Sequence, residues 1–144
     1  MSTIEENKEV VRRLIEAMEI HDIPTMDKLL SDDCVFHLLN SNPPQDKDKE
    51  QVKETFISNI FSDQTIMVED VIVEGDRVSL RLTISGKHIG KILNIEPTGK
   101  ITSATRFSIY RVQDGKIAEC WTLNNDLDLY QQLGALPPTE EIGK

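Results

Sequence analysis

Near the middle of this chain the spacing of its apolar residues changes, and that change limits the folds open to it. Up to about residue 60 they recur every three or four positions: Val11, Leu14, Ile15 and Met18 in one stretch, then Val52, Phe56, Ile57 and Ile60 in another. That is the spacing of one helical face. From Thr65 onward the period is two. Val78, Leu80, Leu82 and Ile84 alternate with Ser79, Arg81, Thr83 and Ser85, as in a strand with one face buried. Helices come first and strands follow, so the chain reads as α+β, with N-terminal helices packed on one face of a curved, mainly antiparallel sheet. Such a pair of layers leaves a tapered space between them, where a ligand would sit.

Local signals mark the boundaries. Ser2 and Thr3 each precede a glutamate by three residues, Glu5 and Glu6, so either can close a capping box over the first helix. That helix is expected to stop near His21, and Pro24 can start a second, with Met26, Leu29 and Leu30 on its apolar side. Cys34 to Asn40 reads as a short strand or an extended buried segment. Asn42-Pro43-Pro44 is a break, followed by a helix over Lys47 to Asn59. Ile66 to Val73 and the alternating stretch after it are joined by Glu74-Gly75-Asp76. A loop spans Gly86 to Gly99. Strands over Ile101 to Val112 and Ile117 to Asn124 then flank the turn Asp114-Gly115. Asp126 is expected to cap a last helix, ended by Gly134. Residues 1–136 form one domain, and 137–144 a loose tail.

Composition excludes several classes. With 144 residues the chain can bury roughly 68–70% of its unfolded surface as one domain. Its net charge of −9 repels phosphate backbones, so no nucleic-acid partner is expected. No apolar run is long enough to span a membrane, and the charged N-terminus does not read as a secretion signal. Cys34 and Cys120, with His21, His37 and His88, offer neither a disulfide framework nor metal-ligand spacing. The expectation is a reduced, cytoplasmic protein without metal or cofactor.

The stretch GKHIGKILNIEPTGKI, Gly86 to Ile101, resembles the SnoaL-like polyketide cyclase family of the nuclear transport factor 2-like superfamily. In that family a G-x-H-x-G and P-T-G-K loop precedes a strand, a D-G-K-I hairpin, an aromatic residue and a Q-L-G ending. Here these are His88, Gly90, Pro97 to Lys100, Asp114 to Ile117, Trp121 and Gln132 to Gly134. The resemblance covers nearly the whole chain and implies a cone-shaped α+β barrel, a homodimer, a small-molecule ligand and no cofactor. Its best-known members close a ring by intramolecular aldol condensation, with an aspartate as general acid/base beside a histidine. Aligned on the hairpin, that aspartate falls on Thr122 and the histidine on Ser108. A further acidic position falls on Asn125, and a histidine on Cys120. A threonine hydroxyl with no neighbouring base cannot abstract a proton next to a carbonyl, and a lost acid/base group costs typically 10²–10⁴ in rate.

Strand alternation puts Arg106, Ser108, Cys120, Thr122 and Asn124 on one side of the last hairpin, and Phe107, Ile109, Trp121, Leu123 and Asn125 on the other. By resemblance the first set faces the cavity. Together with His37 it forms the expected ligand-binding set: polar, nearly uncharged, and suited to hydrogen bonding. Arg106 would hold a carboxylate or a carbonyl oxygen, though a surface ion pair would also explain it. His37 and Glu119 are the candidate replacement bases. The competing accounts are a histidine bonded inside the core for the first and an edge or interface position for the second. His88, among turn glycines, needs only a structural hydrogen bond. Trp121 and Phe107 read as a sheet-face dimer contact, with core packing as the alternative. Three functions therefore compete: a binding module for a small apolar or carbonyl-bearing molecule, a cofactor-independent cyclase, isomerase or hydrolyase with a relocated base, and a protein-interaction module.

Overall fold

The computed structural model describes residues 3–57 and 60–142. Helices α1 (Ile4–Glu19), α2 (Ile23–Leu29) and α3 (Lys49–Ile57) precede most of the sheet, and α4 (Asp126–Gln132) follows it. The strands are β1 (Leu30–Leu38), β2 (Gln45–Lys47), β3 (Phe61–Glu74), β4 (Arg77–His88), β5 (Ile101–Gln113) and β6 (Lys116–Asn124). They form one sheet in the order β2-β1-β6-β5-β4-β3, antiparallel except where β1 runs parallel to β6. The α+β class and the curved sheet expected from the change of period are both present.

Thr3 makes the capping box, its hydroxyl accepting from the Glu6 amide. The Ser2 alternative lies outside the described residues, as does the expected end of α3 at Asn59. His21 sits at φ 55 just past α1, so the chain turns there and Pro24 enters the first turn of α2. Leu30 begins β1 rather than ending α2, and Gln45–Lys47 adds an edge strand where only a break was expected.

The inner faces of β1, β4, β5 and β6 meet the helices in one core. Leu14, Met26, Leu30, Val78, Leu82 and Ile117 are wholly buried there. Register shifts in β3 between Ser62 and Thr65 and between Val68 and Asp70, and in the β5–β6 pair after Arg111, mark bulges. Bulges increase local twist and bend a strand, which helps this sheet curl around the helices. Asp114 and Gly115, both at positive φ, make the two-residue turn of the last hairpin.

Candidate functional site

The sheet and helices enclose two adjoining cavities. The larger, about 330 Å³, is lined by residues that include His21, Phe56, Phe61, Arg106, Asp126 and Tyr130. The smaller, about 140 Å³, takes Phe36, Tyr110, Cys120 and Thr122 into its wall. Arg106 and Asn124 line both and stand between them.

Those two residues face each other across β5 and β6, and the Arg106 Nε donates to the Asn124 Oδ1. Asn124 is held in turn by Asn40, whose Oδ1 accepts from the Asn124 amide at 2.6 Å. Arg106 forms no salt bridge with any described residue. It is half-buried and lines both cavities, with protein atoms crowding the charge. Desolvation therefore holds its pKa below the ordinary value, against the fields of Tyr110, Cys120 and Asp126. A guanidinium does not give up its proton in a protein, so the cavity wall carries a positive charge that no ion pair neutralises, with Asp126 in the same wall.

Beneath Arg106, Ser108 and Thr122 are direct register partners, with their hydroxyl oxygens 3.0 Å apart. These are the positions where the resemblance places histidine and aspartate. Thr122 reaches the smaller cavity, while Ser108 is buried and lines neither. Ser108 also lies against the Tyr110 hydroxyl, whose pKa burial pushes up strongly. Cys120 is buried next to Tyr110, and desolvation drives its thiol to about 12, so it is held as an inert thiol.

His37 and Glu119 are elsewhere: neither lines a cavity as a replacement base would, and Glu119 has the outer-face position that was its competing account. Alternation along β1 turns Cys34 and Phe36 inward, so His37 points to the outer face of the sheet. There it meets Asp46 at 2.8 Å and Glu119 at 2.5 Å, and it lines neither cavity. Hydrogen bonding to Glu119 raises the His37 pKa, with Asp46 adding to it. Hydrogen bonding to His37, and then to Arg111 at 3.2 Å, lowers that of Glu119. A base on this face cannot reach a ligand inside the cone. Arg106 is likewise no surface ion pair.

His88 has the structural role expected of it. Fully buried, it accepts at Nδ1 from the Thr98 amide at 3.1 Å, and the Thr98 hydroxyl lies 3.0 Å away. That tie holds the P-T-G-K segment against the end of β4.

The sequence reading missed Asp126. It expected this residue to cap α4, but Asn125 takes the cap, its Oδ1 accepting from the Asp128 amide at 3.2 Å. Asp126 is thereby free to line the larger cavity, where desolvation raises its pKa and Arg106 partly opposes the rise. Leu129 and Tyr130, three and four positions on, complete the same helical face. Gln132 fixes α4 to β5 by bonding both backbone groups of Ser103, at 3.0 and 2.8 Å. His21 was missed as well. Its Nε2 lies 3.2 Å from Gln64 Oε1, and its ring stands edge-on to Phe56.

The profile of the SnoaL-like polyketide cyclases matches residues 8–133. The chain belongs to that family. Among curated relatives it is 31% identical over 88 residues to the aklanonic acid methyl ester cyclase DnrD of Streptomyces peucetius, a match spanning 60% of this chain and 61% of that protein. Among the solved structures that resemble it over most of their length are two from Streptomyces. AclR of Streptomyces galilaeus, named as a proposed hydroxylase, has a TM-score of 0.84 at 26% identity, over 94% of this chain and 89% of that one. IdmH of Streptomyces antibioticus, named as a proposed polyketide cyclase, has a TM-score of 0.78 at 28% identity, over 89% and 98%. SnoaL-like relatives thus carry names for more than one reaction, and the reaction must be argued from this chain's own site.

Proposed function

We propose that this protein binds a small, largely apolar, carbonyl-bearing molecule of the polyketide kind inside its cone. The observation that carries this reading is the solitary guanidinium of Arg106 in the wall of an otherwise mostly apolar cavity. Keeping a desolvated charge that no salt bridge pairs lowers stability, and a fold has reason to keep one where a ligand oxygen completes it. A carbonyl oxygen accepts from the free guanidinium nitrogens, with Asn124 setting their direction. Thr122 can add a hydroxyl contact from the smaller cavity. The family's cyclases supply the chemical class of ligand, and about 330 Å³ lies at the small end of the range for ligand pockets. The positions that carry the acid/base pair in the resemblance hold a bonded hydroxyl pair here, so this reading takes those groups as part of the binding wall. Native mass spectrometry of gently purified protein tests it. A reproducible extra mass that is released on denaturation, and absent from Arg106→Gln, is expected. Identical occupancy in that variant would reject the role of Arg106.

A second copy is the partner that the outer sheet face favours. Ile72, Phe107, Ile109 and Leu123 are exposed on it, beside Met67. Burying that apolar strip against its symmetry mate would complete a homodimer. Sedimentation velocity should then show a dimer, and Phe107→Lys a monomer.

A further inference from the structure

We infer that Asp126 is the proton-transfer group of this cavity, acting on a ligand whose acidic C–H lies next to a ketone held by Arg106. The inference rests on the binding reading above and adds an activity to it.

Four observations lead there. Asp126 lines the cavity that Arg106 also lines, and no described residue hydrogen-bonds its carboxylate. The cap that would have occupied it is made by Asn125. Arg106 is near enough to act on its charge but does not pair with it, so each group keeps its capacity for a ligand. The other titratable groups in the same wall are already engaged or poorly suited. His21 is bonded to Gln64 and packed against Phe56, and burial raises the Tyr130 hydroxyl away from neutrality. Desolvation adds to the case, because a carboxylate whose pKa is raised toward the working pH is a better base.

The step balances without any added reagent. Ionised Asp126 takes the proton from the carbon next to the ketone. The C–H pair becomes the new carbon–carbon double bond, and the carbonyl π pair moves onto oxygen as an enolate beside the guanidinium. Protonated Asp126 then returns the proton. It goes back to the same carbon in simple exchange, or to a conjugated position in isomerisation. Where the enolate carbon has attacked a second carbonyl of the same molecule, it goes to the new alkoxide. The substrate class is therefore an enolisable ketone with a second unsaturated or carbonyl group within reach.

The probe is 2-tetralone, a bicyclic ketone with acidic protons next to its carbonyl. Binding is followed by calorimetry, and protein-dependent exchange of those protons for deuterium by NMR in D₂O. Wild-type protein is expected to bind the ketone and to exchange its protons above the buffer rate. Asp126→Asn should bind within about threefold of wild type and lose 10²–10⁴ of the exchange rate, the usual worth of a positioned base. Asp126→Glu should recover part of it. The wild-type rate should rise with pH through a midpoint above the ordinary carboxylate range, and that limb should vanish in Asp126→Asn.

A protein that binds 2-tetralone without exchanging it overturns the inference and leaves the binding reading standing. So does undiminished exchange by Asp126→Asn, or loss of exchange in His21→Gln with Asp126→Asn unaffected. Absence of binding by wild type rejects both.

Discussion

His37 lies nearly flat on Trp121, with ring centroids 5.3 Å apart and planes 24° from parallel, while its two nitrogens face the carboxylates of Asp46 and Glu119. An ionised carboxylate only accepts hydrogen bonds, so both nitrogens must carry protons for both bonds to form. The geometry is that of an imidazolium, and Arg77 covers the same indole at 4.9 Å. The outer sheet face therefore holds a charged clamp beside the apolar strip of Phe107, Ile109 and Leu123.

That clamp has a definite pH window. His37 is raised in the folded chain, so its contribution is complete below the ordinary value of 6.5 and is lost as pH rises through the raised one. Glu119 is lowered, so its contribution is present above the ordinary value of 4.5 and is lost as pH falls through the lowered one. The clamp is thus strongest between those ordinary values. Trp121 is the only tryptophan, and a stacked imidazolium quenches indole emission. Fluorescence should rise with pH through a midpoint above 6.5, and His37→Gln should remove the step. A wild-type midpoint at or below 6.5 would show that no such clamp forms.

Asn125 holds α4 at its start, and Gln132 holds it at its end. Replacing an N-cap with alanine costs about 1 kcal/mol, or about 3 °C of melting temperature in a domain of this size. Asn125→Ala should show that loss and Asn125→Asp should largely avoid it. An alanine variant melting with wild type would mean that the cap does not set the position of Asp126.

Both thiols should be unreactive in the folded protein. Desolvation raises Cys34 to about 11 and Cys120 to about 12, which leaves almost no thiolate at pH 8. A chromogenic disulfide reagent should find no thiol in native protein and two after denaturation. Fast labelling of Cys120 in the native state, located by peptide mapping, would show a cavity open enough to expose that thiol.

The layers, the hairpin turns and the inward set from Arg106 to Asn124 could be read from sequence because each follows from a local rule: period, turn chemistry or strand alternation. His37 was misplaced for a local reason too. Phe36, His37 and Leu38 give the end of β1 no clear polar side, so alternation does not reveal which face is buried, and the parallel pairing with β6 that settles it is a long-range contact. Asp126 was missed because Asn125 and Asp126 are both good caps. Only the backbone path out of β6, where the Asn125 amide donates to the Thr105 carbonyl at 2.9 Å, decides which one caps and which faces the cavity.

Arg106 offers the sharpest separation of a functional residue from a structural one. A charge kept for folding should be missed when it is removed, whereas a charge kept for a ligand should be a burden in the empty protein. Arg106→Met keeps most of the side chain's length and apolar contact while removing a desolvated cation that forms no salt bridge with a described residue. By comparison with buried ion pairs replaced by apolar residues, stability should rise by about 1 kcal/mol or more, or about 3 °C of melting temperature. The same variant should lose the ligand, because a thioether cannot donate a hydrogen bond to a carbonyl oxygen. Calorimetric unfolding and 2-tetralone binding on one preparation would read both effects. A fall of several degrees would make Arg106 a structural residue through its bond to Asn124, and would remove the observation on which the binding reading stands.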